Sequence, residues 1–162
     1  MDKQPITEQG YNKLTQDFKH LKEVEKPRIL RDVDSARQLG DLKENAEYHA
    51  AREEQKNCEA KIAELSDLLT KIQVVDPSTM PHSKVSFGST VTIVDVDTDE
   101  EKTYTIVGAY ESDADKGLIS FHSPLAKQLL GKGEGDEFTA KLPSGNIDFE
   151  VIEVKYKEIQ FS

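Results

Sequence analysis

The chain has a single cysteine, Cys58, among 162 residues and so forms no internal disulfide. No Cys/His cluster carries the spacing of a structural zinc site. Long hydrophobic runs are also missing. No stretch approaches the roughly 18 uncharged apolar residues of a membrane-spanning helix. The opening Met1-Asp2-Lys3-Gln4-Pro5 lacks the apolar core of a secretory signal. A cytoplasmic monomer without membrane contact is therefore expected. Basic residues are scarce, with 21 Lys and Arg against 31 Asp and Glu and a net charge of −10. That balance argues against a free-standing nucleic-acid binder, which usually presents a basic face.

The acid that is present is unevenly spread. Residues 1–74 hold 13 Lys and Arg against 15 Asp and Glu, whereas residues 75–162 hold 8 against 16. All the arginines, Arg28, Arg31, Arg37 and Arg52, lie in the first part. This asymmetry implies two units with different partners.

The first unit, residues 1–76, reads as helical. Thr7 is a candidate N-cap, and Tyr11, Leu14, Phe18 and Leu21 come after it at helical spacing. Val33 and Ala36 extend the stripe, and Pro27 interrupts it, predicting a kink or a local break. A second stripe runs through Cys58, Ile62, Leu65, Leu69 and Ile72. Two such stripes bury each other in an antiparallel coiled-coil hairpin. The register can be read from residue numbers. Tyr11 with Ile72, Leu14 with Leu69, Phe18 with Leu65 and Leu21 with Ile62 share a constant sum of 83, and Val33 with Ala50 keeps it. That sum centres the turn between Asp41 and Leu42, beside Gly40 as a helix C′ glycine. At ~1.5 Å per residue, an arm of roughly 30 residues reaches about 45 Å.

Residues 77–84 are rich in turn formers and read as a linker. Beyond it the apolar period becomes two, through Val91, Ile93, Tyr104, Ile106, Ile119, Phe121, Phe138, Ile147, Phe149 and Val151. A change of phase after Val151, into Ile152, Val154 and Tyr156, predicts a bulge. Pro143-Ser144-Gly145-Asn146 predicts a hairpin turn. Ser123-Pro124-Leu125 through Leu130-Gly131 predicts a short helix with a serine cap, a proline at its first position and a closing glycine. The fold class is α+β, with a helical hairpin followed by a small α+β domain over 85–162.

The turn itself reads Gly40-Asp41-Leu42-Lys43-Glu44-Asn45-Ala46-Glu47-Tyr48. Two readings compete there. Asp41 and Glu44 at N-cap and N3 would form an acidic capping box for the second helix. Capping does not, however, account for an apolar Leu42 at the end of a long rod.

Together with His49-Ala50-Ala51-Arg52-Glu53, this run resembles the signature of the Gre family of bacterial transcript-cleavage factors. Ser123-Pro124-Leu125-Ala126-Lys127 with Leu130-Gly131-Lys132 resembles the second motif of that family. The resemblance covers hairpin, linker and C-terminal domain, and the few basic residues fit the less basic of the family's two types. It implies an FKBP-like C-terminal domain docked at the rim of the RNA polymerase secondary channel through Ser123, Pro124, Leu125 and Lys127. It further implies that the hairpin enters the channel and supplies Asp41 and Glu44 as catalytic carboxylates to the polymerase active centre. Arg37 and Arg52 match the basic patch near the nascent RNA 3′ end. The chain would then be no enzyme by itself but a stimulator of the polymerase's own RNA cleavage.

The chemistry of these residue types fits that role. Phosphodiester cleavage benefits from metal ions that stabilise the attacking and leaving oxygens. Mg²⁺ takes one or two carboxylates plus water and phosphate oxygens. Asp41 and Glu44, three apart, can present both carboxylates in one direction, sharing Mg²⁺ with the polymerase rather than binding it tightly alone. The same groups can orient or deprotonate a water. Guanidinium groups grip phosphate in a two-pronged geometry, although ion pairing of Arg37 with Asp34 or Arg52 with Glu53 is the plainer reading of those positions.

Other signals are weaker. Asp95-Val96-Asp97-Thr98-Asp99 imitates a calcium loop but has Glu100 where glycine is required, so an acidic turn is expected. His49 and Glu53 share a helix face without a third ligand. Cys58 falls on the apolar stripe and reads as core. A channel-binding regulator that does not promote cleavage, or a prolyl isomerase argued from fold analogy alone, are the competing functional classes.

Overall fold

The computed structural model describes residues 3–40 and 45–161. Two compact units result: Tyr11–Ile72, and Met1–Gly10 together with Gln73–Ser162. The first ten residues, grouped with the hairpin by their pattern, thus join the sheet unit. The cause is a two-stranded sheet in which β1 (Gln4–Ile6) pairs with β2 (Ile72–Val74). The Val75 N–H extends the pairing to the Ile6 carbonyl at 2.8 Å. Strands of three residues leave no readable period.

The helical unit contains α1 (Glu8–His20), a π-helical turn over Leu21–Glu25, α2 (Lys26–Arg37) and α3 (Ala46–Lys71). Leu14 and Leu65 are fully buried, and a cluster of Ile29, Val33, Ala51 and Cys58 is flanked by Leu21, Tyr48 and Ile62. Burial pushes the Cys58 thiol pKa up, with the Glu25 carboxylate adding to the effect. Contacts between the arms run in opposite directions along the chain, as an antiparallel pair requires. Arg28 forms an ion pair with Glu54, Ala36 meets Asn45, and Arg37 lies over Tyr48. Those residue numbers sum to 82, 81 and 85, straddling 83, and Leu21 and Ile62 share a cluster as expected. One detail changes: Ala51, not Ala50, is the buried alanine facing Val33.

Pro27 marks a local break, as expected: the α-helical ladder gives way to a π-helical turn just before it, and the helix continues beyond. Proline has no N–H to donate, and the preceding turn widens so that the Lys26 N–H bonds to the Leu21 carbonyl, five residues back. Gly40 lies one position later than expected. The last turn of α2 tightens, with the Leu39 N–H on the Ala36 carbonyl at 3.1 Å, and the positive φ of 117° falls on Gly40, two residues beyond the C-cap Gln38. The start of α3 is a second correction. Its N-cap is Asn45, whose side-chain oxygen accepts the Tyr48 N–H at 3.0 Å. The capping role weighed for Asp41 and Glu44 is therefore filled by another residue. The turn that carries Asp41, Leu42 and Glu44 lies outside the described residues.

In the sheet unit, Pro77 is buried within a 3₁₀ turn, and His82 bonds to the Ser89 hydroxyl and the Pro77 carbonyl, each at 2.6 Å. Pro77 and His82 thus tie the 77–84 stretch to this unit, while Ser78, Thr79, Pro81, Ser83 and Lys84 are exposed. Five more strands complete this unit: β3 (Thr90–Asp95), β4 (Glu101–Val107), β5 (Leu118–Ser120), β6 (Glu137–Leu142) and β7 (Gly145–Lys155), ordered β5-β4-β3-β7-β6. All neighbours are antiparallel except β4 and β5. Val91, Ile93, Ile106, Phe149 and Val151 fill the core with Ala126 and Leu129 of α4 (Pro124–Leu129). The expected bulge is Ile152: Thr92 faces Glu153 while the next residue, Ile93, faces Val151. The β3–β4 turn holds Asp95, whose carboxylate accepts the backbone N–H groups of Asp97 and Thr98, as an acidic turn rather than a calcium loop.

Glu111 is the one buried carboxylate among the described residues. It accepts the Thr7 N–H at 3.0 Å, the Thr7 hydroxyl, and the Gly108 N–H at 3.1 Å. Thr7 in turn caps α1 through the Gly10 N–H at 3.1 Å. A side chain at Gly10 would collide with Glu111, its Cβ only 2.4 Å from the carboxyl carbon.

These polar anchors set the expected stability of two sets of variants. Glu111→Ala strands two buried N–H donors and should lower unfolding free energy by about 1–3 kcal/mol in urea titrations. Asn45→Ala should cost about 1 kcal/mol, whereas Asp41→Ala and Glu44→Ala should leave the melting temperature unchanged. A stability loss in either carboxylate variant as large as that of Asn45→Ala would restore the capping reading.

Candidate functional site

The described flanks of the turn are the last residues of α2 and the first of α3. Arg37 ends α2 and is exposed, with its guanidinium carbon 5.9 Å from the Tyr48 ring centroid. Tyr48 is half-buried and meets the His49 ring edge-on at 5.6 Å. Arg52, one turn further along α3, donates to the Gln55 side chain at 2.8 Å. The structure therefore brings Arg37 against an aromatic face of the opposite arm and leaves Arg52 exposed on its own helix. The partners seen are Tyr48 and Gln55 instead of Asp34 and Glu53.

Asn45 ties the flanks together. While its oxygen caps α3, its Nδ2 donates to the Ala36 carbonyl at 2.5 Å. Sequence reasoning missed this residue because Asp41 and Glu44 offered a capping box a few residues earlier. The signal was present, since Asn ranks with Asp and Ser as an N-cap and a helix-forming Ala46 comes directly after it.

Further down the hairpin, Arg28 joins three carboxylates. It reaches Glu25 and Asp32 at 2.9 Å each, as well as Glu54 on the other arm. Hydrogen bonding to Glu54 and then Glu25 raises the guanidinium pKa still further, so the charge is permanent. This arginine is committed to the hairpin, unlike Arg37 and Arg52.

The second motif forms α4. Ser123 accepts the Ala126 N–H at 3.3 Å and donates to the Ser120 carbonyl at 2.7 Å. Leu125 packs on the core from a half-buried position, while Pro124 and Lys127 are exposed. Of the four docking candidates, Pro124 and Lys127 thus present most of their surface outward. Among the described residues no group of three or more His, Cys, Asp or Glu could hold a metal ion, and no helix is long and apolar enough to cross a membrane.

Comparison with known proteins matches both units. Residues 4–74 fit the family described as transcription elongation factor, N-terminal, and residues 80–156 fit transcription elongation factor, GreA/GreB, C-term. The transcription elongation factor GreA of Wolinella succinogenes is 60% identical over 161 residues, covering 99% of each chain. That of Aliarcobacter butzleri is 58% identical over 98% of this chain and 99% of its own. The Helicobacter pylori counterpart is 55% identical over 99% and 98%. Among solved structures, the GreA factor homolog Gfh1 of Thermus thermophilus aligns over 94% of this chain and 99% of its own, at 24% identity and a TM-score of 0.44. With both units matched and more than half of all positions identical to curated relatives, the chain belongs to the GreA/GreB family of transcription elongation factors, and within it to the GreA type.

Proposed function

We propose that this chain binds RNA polymerase and stimulates the polymerase's own cleavage of the nascent RNA 3′ end in backtracked, arrested complexes, so that elongation resumes. In this reading the hairpin enters the secondary channel and the sheet unit, an FKBP-like domain, docks at its rim. The observation that carries the reading is the Asn45 cap. Because Asn45 is the N-cap of α3, neither Asp41 nor Glu44 is needed in that role, and two carboxylates three residues apart are left open to another use. A regulator without cleavage activity is not favoured, since the matched curated relatives share the GreA name.

Each residue has a defined task. Asp41 and Glu44 offer carboxylate oxygens to Mg²⁺ of the polymerase active centre and to the attacking water. When bound there, the ion supplies charge stabilisation at the phosphoryl oxygens. Arg37 and Arg52 hold phosphates of the displaced RNA from opposite arms. Arg37 lies over the Tyr48 ring and is exposed, so its guanidinium can reach a phosphate. The sheet unit docks through the exposed Pro124 and Lys127, with the Lys127 ammonium facing an acidic group of the polymerase.

Two experiments test the assignment on backtracked elongation complexes. Asp41→Asn and Glu44→Gln should each slow stimulated cleavage on the order of 10²- to 10⁴-fold, with polymerase affinity unchanged. Partial recovery at high Mg²⁺ identifies a lost metal ligand, and none identifies a lost base. Wild-type cleavage by a polymerase-bound Asp41→Asn protein would refute the catalytic role. Lys127→Glu should behave in the opposite way, raising the half-saturating factor concentration on the order of tenfold while the rate at saturation stays the same.

A further inference from the structure

Asn45 does two jobs with one amide group. Its Oδ1 must face the Tyr48 N–H, because that backbone group can only donate, and this turns the NH₂ toward the Ala36 carbonyl at 2.5 Å. Capping needs only the oxygen. The NH₂ contact is a separate bond, and it joins the last turn of α2 to the residue just before α3. Ala36 and Asn45 are nine positions apart in the chain, and between them lie all the residues from Asp41 to Glu44. Both ends of that segment are therefore held by a single side chain.

A second cross-arm contact sits close by, with Arg37 over the Tyr48 ring. The ring belongs to the same Tyr48 whose N–H receives the cap. The polar bridge and the stack thus fix the relative height and rotation of the two helix ends. The apolar seam does little there, since its last buried members are Ala36 and Ala51.

We infer that Asn45 is a positioning residue for transcript cleavage: its side-chain amide, bridging Ala36 and Tyr48, joins the two helix ends that flank Asp41 and Glu44 in the chain. The inference rests on the acidic-tip reading above. No other side chain of this length supplies both halves of the bridge. Aspartate keeps the cap but has no donor at neutral pH. Serine keeps the cap, and its short hydroxyl does not span to the Ala36 carbonyl at the same time. A displacement of the reacting groups by about 1 Å is enough to slow a reaction on the order of 10²-fold.

The test uses the full-length factor with Asn45→Asp, Asn45→Ser and Asn45→Ala, titrated on backtracked elongation complexes beside Asp41→Asn. Asn45→Asp and Asn45→Ser should each reduce the saturated cleavage rate on the order of 10- to 100-fold while the half-saturating concentration stays at the wild-type value. Amide hydrogen exchange gives a readout independent of activity. The Tyr48 amide should keep its protection in both variants, while the amides of Leu39 and Gly40 exchange faster. Asn45→Ala should lose protection at all three. Wild-type cleavage by Asn45→Asp and Asn45→Ser, with Asp41→Asn inactive, would overturn the positioning role and leave Asn45 as a cap only. A defect in Asn45→Asp but not in Asn45→Ser would also overturn it, since charge rather than the lost bridge would then be responsible. Full activity of Asp41→Asn would instead refute the acidic-tip reading, and the positioning role with it.

Discussion

A two-helix hairpin has one seam to bury, and its stability declines wherever that seam thins. Leu14 and Leu65 are fully enclosed, and each large aliphatic side chain buried this way contributes roughly 1.5–3 kcal/mol. Toward the turn the buried residues shrink through Val33 to Ala36 and Ala51. Alanine has a single methyl group to bury, so the hydrophobic term nearly vanishes where the arms end. Helix ends also leave unpaired N–H and carbonyl groups. Polar contacts must therefore hold the flanks: the Asn45 cap, its bond to Ala36, and the Arg37–Tyr48 stack. The thinness of a single two-helix seam is the same property that makes a polar bridge necessary.

The middle of the hairpin meets a different constraint. Pro27 removes one N–H from the helix ladder, and the π turn over Leu21–Glu25 absorbs the loss without ending the helix. One extra residue in a turn rotates the remainder of the arm relative to the seam. Leu21, which opens that turn, and Ile29, eight residues later, lie on the same cluster. Arg28 then links Glu25 and Asp32 on its own arm to Glu54 across the seam, just past the irregular turn. Exposed ion pairs contribute little individually, and a network around one bidentate arginine is the form in which they contribute most.

Much of this architecture was legible in the sequence, and the features that were not share a cause. The constant residue-number sum located the seam because helical spacing repeats over many residues. The phase change after Val151 exposed the bulge at Ile152 for the same reason. Ser123, Pro124 and Gly131 marked α4 because each has a conformational preference of its own. Glu111 was invisible. A carboxylate carries no pattern that announces burial, and its partners, Thr7 and Gly108, are 104 and 3 residues away. The strands β1 and β2 were missed because they exist only through pairing with each other. Features that depend on a distant partner leave no local trace.

The turn shows why local chemistry alone could not separate cap from catalyst. An aspartate with a glutamate three residues later, before a helix, satisfies the capping-box pattern as well as it satisfies a paired-carboxylate site. Both uses favour negative charge at a helix N-terminus, so neither charge nor spacing discriminates. The start of α3 does discriminate. With Ala46 as the first helical residue and Asn45 accepting the Tyr48 N–H, the N-cap position of α3 is already taken. A helix start needs one cap. Asp41 and Glu44 are then not needed as the cap of α3, which leaves their charge open to another use.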